Sequence, residues 1–190
     1  MYKKFNTIND LKVKNKTVIL RIDINSEIIN NIPVLSSRFI EHAKTIVLLK
    51  KKKAKVIILA HQSRPGKIDF TNLKNHAKIL NKYTKIKYIP DIIGKKAEEA
   101  IRILKPGQAI LLENIRSIND EFKRTKNNEI LKFFKNKIDI YICDAFSVCH
   151  RTDTSMYYLP KIIKIKAIGP VLENELKHIN KIKINSKTLF

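Results

Sequence analysis

Arginine is used sparingly in this chain, where lysine supplies most of the positive charge. Even so, Arg38, Arg64, Arg116 and Arg151 recur beside polar residues of other kinds. Asp23 and Asn25 form one group, His61 and Gln62 precede Arg64, Glu113 and Asn114 precede Arg116, and Asp144 and His150 precede Arg151. Lysine suffices as a solvated point charge, whereas the planar guanidinium fork grips carboxylate or phosphate oxygens in pairs. Forks brought together on one rim repel one another unless an anion joins them. If the fold converges these segments, the ligand implied is a small, multiply charged anion.

Converging them is the task of the elements between. Residues 17–23 (TVILRID), 55–60 (KVIILA), 86–89, 109–112 (AILL) and 138–143 (IDIYIC) are short apolar runs rich in β-branched residues and read as buried strands. Helical spacing lies between them. Phe39, Ile40, Ala43, Ile46 and Val47 follow Ser36 as N-cap, and Leu73, Ala77 and Leu80 follow Thr71 as a cap. Residues 94–104 end at Pro106-Gly107, Ile130, Phe133 and Phe134 share a further helix, and Val171, Leu172, Glu175, Leu176 and Ile179 mark a last, partly apolar one. Strand and helix alternate, which predicts an α/β fold: one domain with a doubly wound, Rossmann-like parallel sheet of about five to six strands and helices on both faces. Ligands of such sheets bind beyond the carboxyl ends of the strands, and each polar group above lies just past one of those ends. Arg38 opens the first helix on the same side, where a cation opposes the helix dipole, a local violation of the kind found at functional sites.

Plainer readings stand beside each residue. Asp23 can cap the loop after its strand, Asp144 can orient the following segment, a single histidine can be structural, and Cys143 and Cys149 can be small packing residues. The formal net charge of +22 suggests an anionic macromolecule such as nucleic acid. Against that, lysine is spread over all predicted outer faces, the lysine run at 50–53 suits a helix carboxyl end, and no nucleic-acid-binding motif is present. The four glycines, Gly66, Gly94, Gly107 and Gly169, are too dispersed for a phosphate-cradling nucleotide loop. Two cysteines without CxxC spacing argue against a disulfide framework and a zinc site and point to a reducing cytoplasm; no apolar run reaches a membrane-spanning length.

The strings RIDINS (21–26), AHQSRPG (60–66), LENIR (112–116) and DAF (144–146), followed by His150 and Arg151, resemble phosphoglycerate kinase in its archaeal form. DFT (69–71) and ENEL (173–176) fit as well, so the match runs in order from about residue 12 to 176. The resemblance covers only the family's N-terminal lobe. It implies a 3-phosphoglycerate-binding domain over residues 1–180, with 181–190 as a hinge and the start of a C-terminal lobe. Mg-ATP or Mg-ADP is expected on that second lobe, which could be encoded separately, and not on this chain.

By the resemblance, Asp23 and Asn25 hydrogen-bond the glycerate end, and His61, Arg64, Arg116 and Arg151 hold the 3-phosphate. Arg38 faces the carboxyl end and stabilises the phosphoryl group in transfer between 1,3-bisphosphoglycerate and ADP, a step of glycolysis and gluconeogenesis. The chain alone is then expected to bind 3-phosphoglycerate weakly without turnover. The alternatives are a non-catalytic anion-binding remnant and, further off, a basic nucleic-acid-binding protein. Ser36, Ser63, Ser117, Ser147 and Cys149 depart from the family's usual residues, and Ser63 stands where a turn favours glycine and positive φ. These departures bear on affinity.

Overall fold

The computed structural model describes residues 5–181; the hinge and new strand expected over 181–190 therefore fall almost wholly outside the described residues. The chain runs through β1 (Thr17–Arg21), β2 (Ile28–Ile29), β3 (Ile32–Pro33), α1 (Ser37–Lys51), β4 (Lys55–Leu59), α2 (Lys74–Leu80) and β5 (Lys87–Tyr88). It continues through α3 (Lys95–Arg102), β6 (Ala109–Leu111), α4 (Glu129–Phe134), β7 (Ile140–Cys143), α5 (Leu159–Ile162), β8 (Ile165–Ile168) and α6 (Pro170–Ile179). Six strands form one sheet in the order β5-β6-β4-β1-β7-β8, every pair parallel. This is the doubly wound α/β architecture expected.

Alternation along the strands divides the core. Val18 and Leu20 of β1 join Val56 and Ile58 of β4 beneath Phe39, Ala43, Ile46 and Leu49 of α1 and Ala77 and Leu80 of α2. Ile19, Ile57 and Ile110 point the other way, against Ala97 and Ala100 of α3 and Ile130, Leu131 and Phe134 of α4. Both faces are thus covered, as a buried parallel sheet requires. The chain adds strands on one side of β1 through β4, β5 and β6, then crosses to β7 and β8 on the other. The switch point lies at the carboxyl end of β1, between β4 and β7.

Some local expectations are corrected. Thr71 caps no helix: α2 begins at Lys74, whose N–H donates to Asn72 Oδ1 (3.1 Å), while the Thr71 carbonyl accepts from Asn114 Nδ2 (2.8 Å). Ser36 occupies the N-cap of α1, but its hydroxyl makes no capping bond. The sixth strand, β8, and the β2–β3 hairpin had no separate sequence signal. The hairpin turns on Asn30 (φ 51°) and Asn31 (φ 61°), and asparagine is among the few residues that accept such angles without great cost. Of the apolar stripe expected along α6, only Leu172 is buried.

Candidate functional site

All seven residues singled out for the site, Asp23, Asn25, Arg38, His61, Arg64, Arg116 and Arg151, line a single open cleft of about 560 Å³ past the carboxyl ends of β1, β4, β6 and β7. Ser63, Lys67, Asp69, Ser147 and Val148 complete its wall, so five cations face two carboxylates. His150 is exposed and takes no part in the lining.

On one side the cleft is held by Asp23, which follows β1 and is almost fully buried. Its Oδ1 accepts the N–H of Asn25 (2.9 Å), a turn-forming bond, so the plainer reading of this aspartate is also satisfied. Its Oδ2 accepts from Arg38 Nη1 (2.7 Å) and from the Ser147 hydroxyl. The pairing offsets the unfavourable position of Arg38 in the first turn of α1. Asn25 Oδ1 accepts the N–H of Ser63 (2.7 Å) and ties the β1 loop to the β4 loop. Ser63 has φ 53°, the left-handed conformation anticipated there, and its hydroxyl donates to Asp69 Oδ1 (2.5 Å).

Opposite, Arg116 is nearly inaccessible. Its Nη1 donates to the Ser63 carbonyl (2.8 Å) and its Nη2 lies 3.4 Å from Asp153 Oδ2. Its Nε, like that of Arg151, is buried with no hydrogen-bond partner among the described residues. A buried unpaired N–H costs about 1–3 kcal/mol, more on a charged group. Burial, and next the neighbouring Arg151, push the Arg116 guanidinium down from its ordinary pKa. Arg64 and Lys67 stand at the exposed rim.

His61 enters the wall as a neutral ring. Burial first, then Arg21, Arg116, Arg151 and Arg38, drives its pKa far below the usual histidine range. Arg21 Nη2 lies 3.1 Å from His61 Nδ1, and a guanidinium can only donate. The histidine proton is therefore on Nε2, leaving that atom as the ring's donor.

Arg21 is the residue the sequence reading passed over. It ends β1 fully buried, with Nε donating to Ser155 Oγ (3.1 Å) and Nη1 to the Ile22 carbonyl (2.5 Å). The signal was a charge inside an apolar run, since a buried guanidinium persists only with partners. Lys67 and Ser147 were likewise not named as ligand groups.

Other polar residues near the strand ends build the frame. Glu113 Oε1 accepts the N–H of Leu73 (2.9 Å), and Glu113 Oε2 accepts the Tyr88 hydroxyl. Asn114 and Gln62 bind neighbouring loop backbone. Asp144 keeps its plainer role: Oδ1 accepts the N–H groups of Val171 (2.8 Å) and Leu172 (3.2 Å) at the start of α6, and Oδ2 accepts the Thr45 hydroxyl (2.7 Å) of α1. His42 Nε2 accepts the N–H of Asp23 (3.2 Å), so its Nδ1 proton faces Asp144 Oδ2 at 3.3 Å. Among the described residues, no group of three or more His, Cys, Asp or Glu side chains is placed to hold a metal ion, and no helix is long and apolar enough to cross a membrane.

A sequence model of the family described as phosphoglycerate kinase matches residues 8–190. Among curated relatives, the phosphoglycerate kinase of Sulfolobus acidocaldarius is 40% identical over 185 residues, spanning 93% of this chain and 44% of that protein. That of Methanobacterium bryantii is 41% identical over 184 residues, spanning 92% and 45%. The crystal structure of phosphoglycerate kinase from Pyrococcus horikoshii superposes with a TM-score of 0.87 at 30% identity, covering 96% of this chain and 47% of that one. The structure of the enzyme from Coxiella burnetii gives 0.80 at 28% identity, covering 97% and 46%. The chain spans less than half the length of these relatives.

Proposed function

The chain belongs to the phosphoglycerate kinase family, and from that premise we propose that it supplies the 3-phosphoglycerate-binding half of an enzyme that moves a phosphoryl group between 1,3-bisphosphoglycerate and ADP. One observation carries the reading: five cations line the cleft against two carboxylates, and two of them, Arg116 and Arg151, each have a buried Nε with no partner among the described residues. A phosphate monoester seated in the cleft would accept from the guanidinium forks that line it and relieve their mutual repulsion.

In this reading Arg116 and Arg151, with Arg64 at the rim and the Nε2–H of His61, grip the 3-phosphate. Asp23 and Asn25 hydrogen-bond the glycerate hydroxyl. Arg38 swings from Asp23 toward the carboxyl end, where the transferred group's equatorial oxygens gather charge. Phosphoryl transfer draws on positioning and charge neutralisation more than on covalent help from the protein, and these residues supply both on the acceptor side. Magnesium nucleotide, when bound, supplies the phosphoryl group or accepts it. It is assigned to a second lobe, because the four glycines of this sequence are too dispersed for a phosphate-cradling loop. Residues 1–180 form the substrate domain, 181–190 lead toward a second, nucleotide-binding lobe, and the cytoplasm is the compartment proposed.

Titration calorimetry of the folded chain with 3-phosphoglycerate tests this, with saturable heat expected in the millimolar range. A folded chain that gives no heat there overturns it. Adding a separately made nucleotide lobe should restore turnover; binding without such rescue would leave a non-catalytic anion module.

A further inference from the structure

Cys143 and Cys149 bracket the loop that carries Ser147 and Val148 into the cleft wall, and Arg151 follows two residues later. Both cysteines are free, and their Sγ atoms lie 3.9 Å apart. We propose that Cys143 and Cys149 are a modification site, joined by a reversible intrachain disulfide that resets the cleft's grip on its anion.

The two ends of the loop are held differently. Cys143 ends β7 in register with Arg21, fixed by the sheet, whereas Cys149 follows a short 3-10 turn and is exposed. A disulfide spans about 2.05 Å, so the sulfurs must close by about 2 Å. That movement falls on the Cys149 end. The N–H of Arg151 donates to the Val148 carbonyl (3.0 Å), so Arg151 is drawn along, and the Ser147 hydroxyl lets go of Asp23. The thiols are already differentiated: a hydrogen bond from Cys149 favours the Cys143 thiolate, while Cys149 is held protonated and also approaches the Ala145 carbonyl at 3.4 Å.

A hydroperoxide is the oxidant class that suits this pair. The Cys143 thiolate attacks one peroxide oxygen, the O–O bond breaks, and the departing hydroxide takes up the proton released when Cys143 ionised. The Cys149 sulfur then attacks the sulfenic sulfur, forming the S–S bond, and the second hydroxide leaves with the Cys149 proton. Two thiols and one hydrogen peroxide become one disulfide and two waters. The exposed Cys149 sulfur admits a small thiol to reverse the reaction.

The switch rests on the proposed ligand only for its effect on affinity, so bond formation and loop movement are read without it. The full chain is treated with hydrogen peroxide and followed by intact mass, peptide mapping, and the amide resonances of Ser147 and Arg151. Expected are loss of two hydrogens, a 143–149 cross-link, shifted resonances, and full reversal by dithiothreitol. The Cys149→Ser variant should show no cross-link and no such shifts. Where the reduced chain binds 3-phosphoglycerate, oxidation should weaken it about tenfold, as misplacing a gripping group by an ångström or so can. Sulfinic acid, a bond between chains, or a cross-link that leaves both resonances in place overturns the proposal. If the reduced chain binds no 3-phosphoglycerate, the amide shifts still decide the switch, and the ligand reading falls separately.

Discussion

The sheet carries a cationic cavity at each end, and the two are built differently. At the amino ends of the strands a groove of about 530 Å³ is lined by Lys50, Lys85, Lys87 and Lys105 over an apolar floor that includes Ile86, Leu104 and Ala109. Its lysines face solvent, except Lys50, whose Nζ is satisfied by the Thr84 hydroxyl (3.1 Å) and the Lys85 carbonyl (2.6 Å). At the carboxyl ends the cations are mostly arginines, two of them with buried donors that have no partner among the described residues, set on loops cross-tied by Asn25, Asn114 and Asp144. Similar formal charge therefore has two meanings. At one end it is a solvated compositional bias, and at the other it is desolvated and held in fixed geometry.

The largest effect expected from this contrast is at Arg116. Arg116→Lys keeps the charge but loses the fork, and truncating one member of a buried charged contact costs about 2–5 kcal/mol, or a factor of about 30 or more. Calorimetric heat with 3-phosphoglycerate should vanish while the circular dichroism spectrum is unchanged. Retained affinity would mean that charge alone suffices and that the two ends are alike.

The frame under the cleft is sensitive in a different way. A Cβ at Gly169 would lie 2.3 Å from Asp144 Oδ1 and 2.7 Å from Asp144 Cβ, breaking the carboxylate's hold on α6. Gly169→Ala should cost about 1–3 kcal/mol, the range for overpacking a tight site, and lower the melting temperature. A melting temperature equal to the parent's would contradict the assignment of Asp144 to the scaffold.

Behind the cleft, burial pushes the Glu121 carboxyl up to about 7, with Ser155 hydrogen-bonded to both its oxygens. The folded chain keeps this proton where the unfolded chain, with an ordinary value of 4.5, has lost it. Stability from this group is full below pH 4.5 and is lost as pH rises through about 7. His76, pushed down to about 4 by burial, works in the opposite sense: the unfolded chain binds its proton more readily, so stability rises with pH from about 4 to 6.5. His61 acts in the same sense as His76. Denaturant titrations of Glu121→Gln and the parent isolate the first contribution: the parent should lose about 3 kcal/mol relative to the variant between pH 4.5 and 7. Parallel pH profiles would remove Glu121 as a buried acid.

What was legible beforehand follows from the same contrast. Apolar runs bounded by polar residues located β1, β4, β6 and β7 because these strands are buried on both faces, and the ligand candidates were visible because each stood just past such a run. β8 escaped because it lies at the sheet edge, where Lys166 alternates with Ala167 and the strand is only partly covered. Arg21 escaped because it lies within the run itself. Cys143 and Cys149 read as packing residues, since their proximity depends on the turn at Phe146–Val148 and not on spacing. Thr71 has the chemistry of a cap, but Asn72 is the residue that reaches the first amide of α2.

The smallest effect belongs to the lysine end. Lys85→Gln removes one charge from the groove and, because Lys85 adds to burial in depressing Lys50, should let the Lys50 ammonium titrate closer to its ordinary value, as nitrogen NMR would record. Its effect on 3-phosphoglycerate is limited by distance. The five residues of β4 alone separate the two ends by about 17 Å at about 3.3 Å per residue. That is about twice the Debye length of about 8 Å at about 0.15 M salt. The affinity should therefore change less than about twofold at about 0.15 M salt and fall measurably only near 0.01 M, where screening extends to about 30 Å. A loss at about 0.15 M salt comparable to that of Arg116→Lys would show that the cleft works through the diffuse field of the whole basic chain, and the distinction between its two ends would fail.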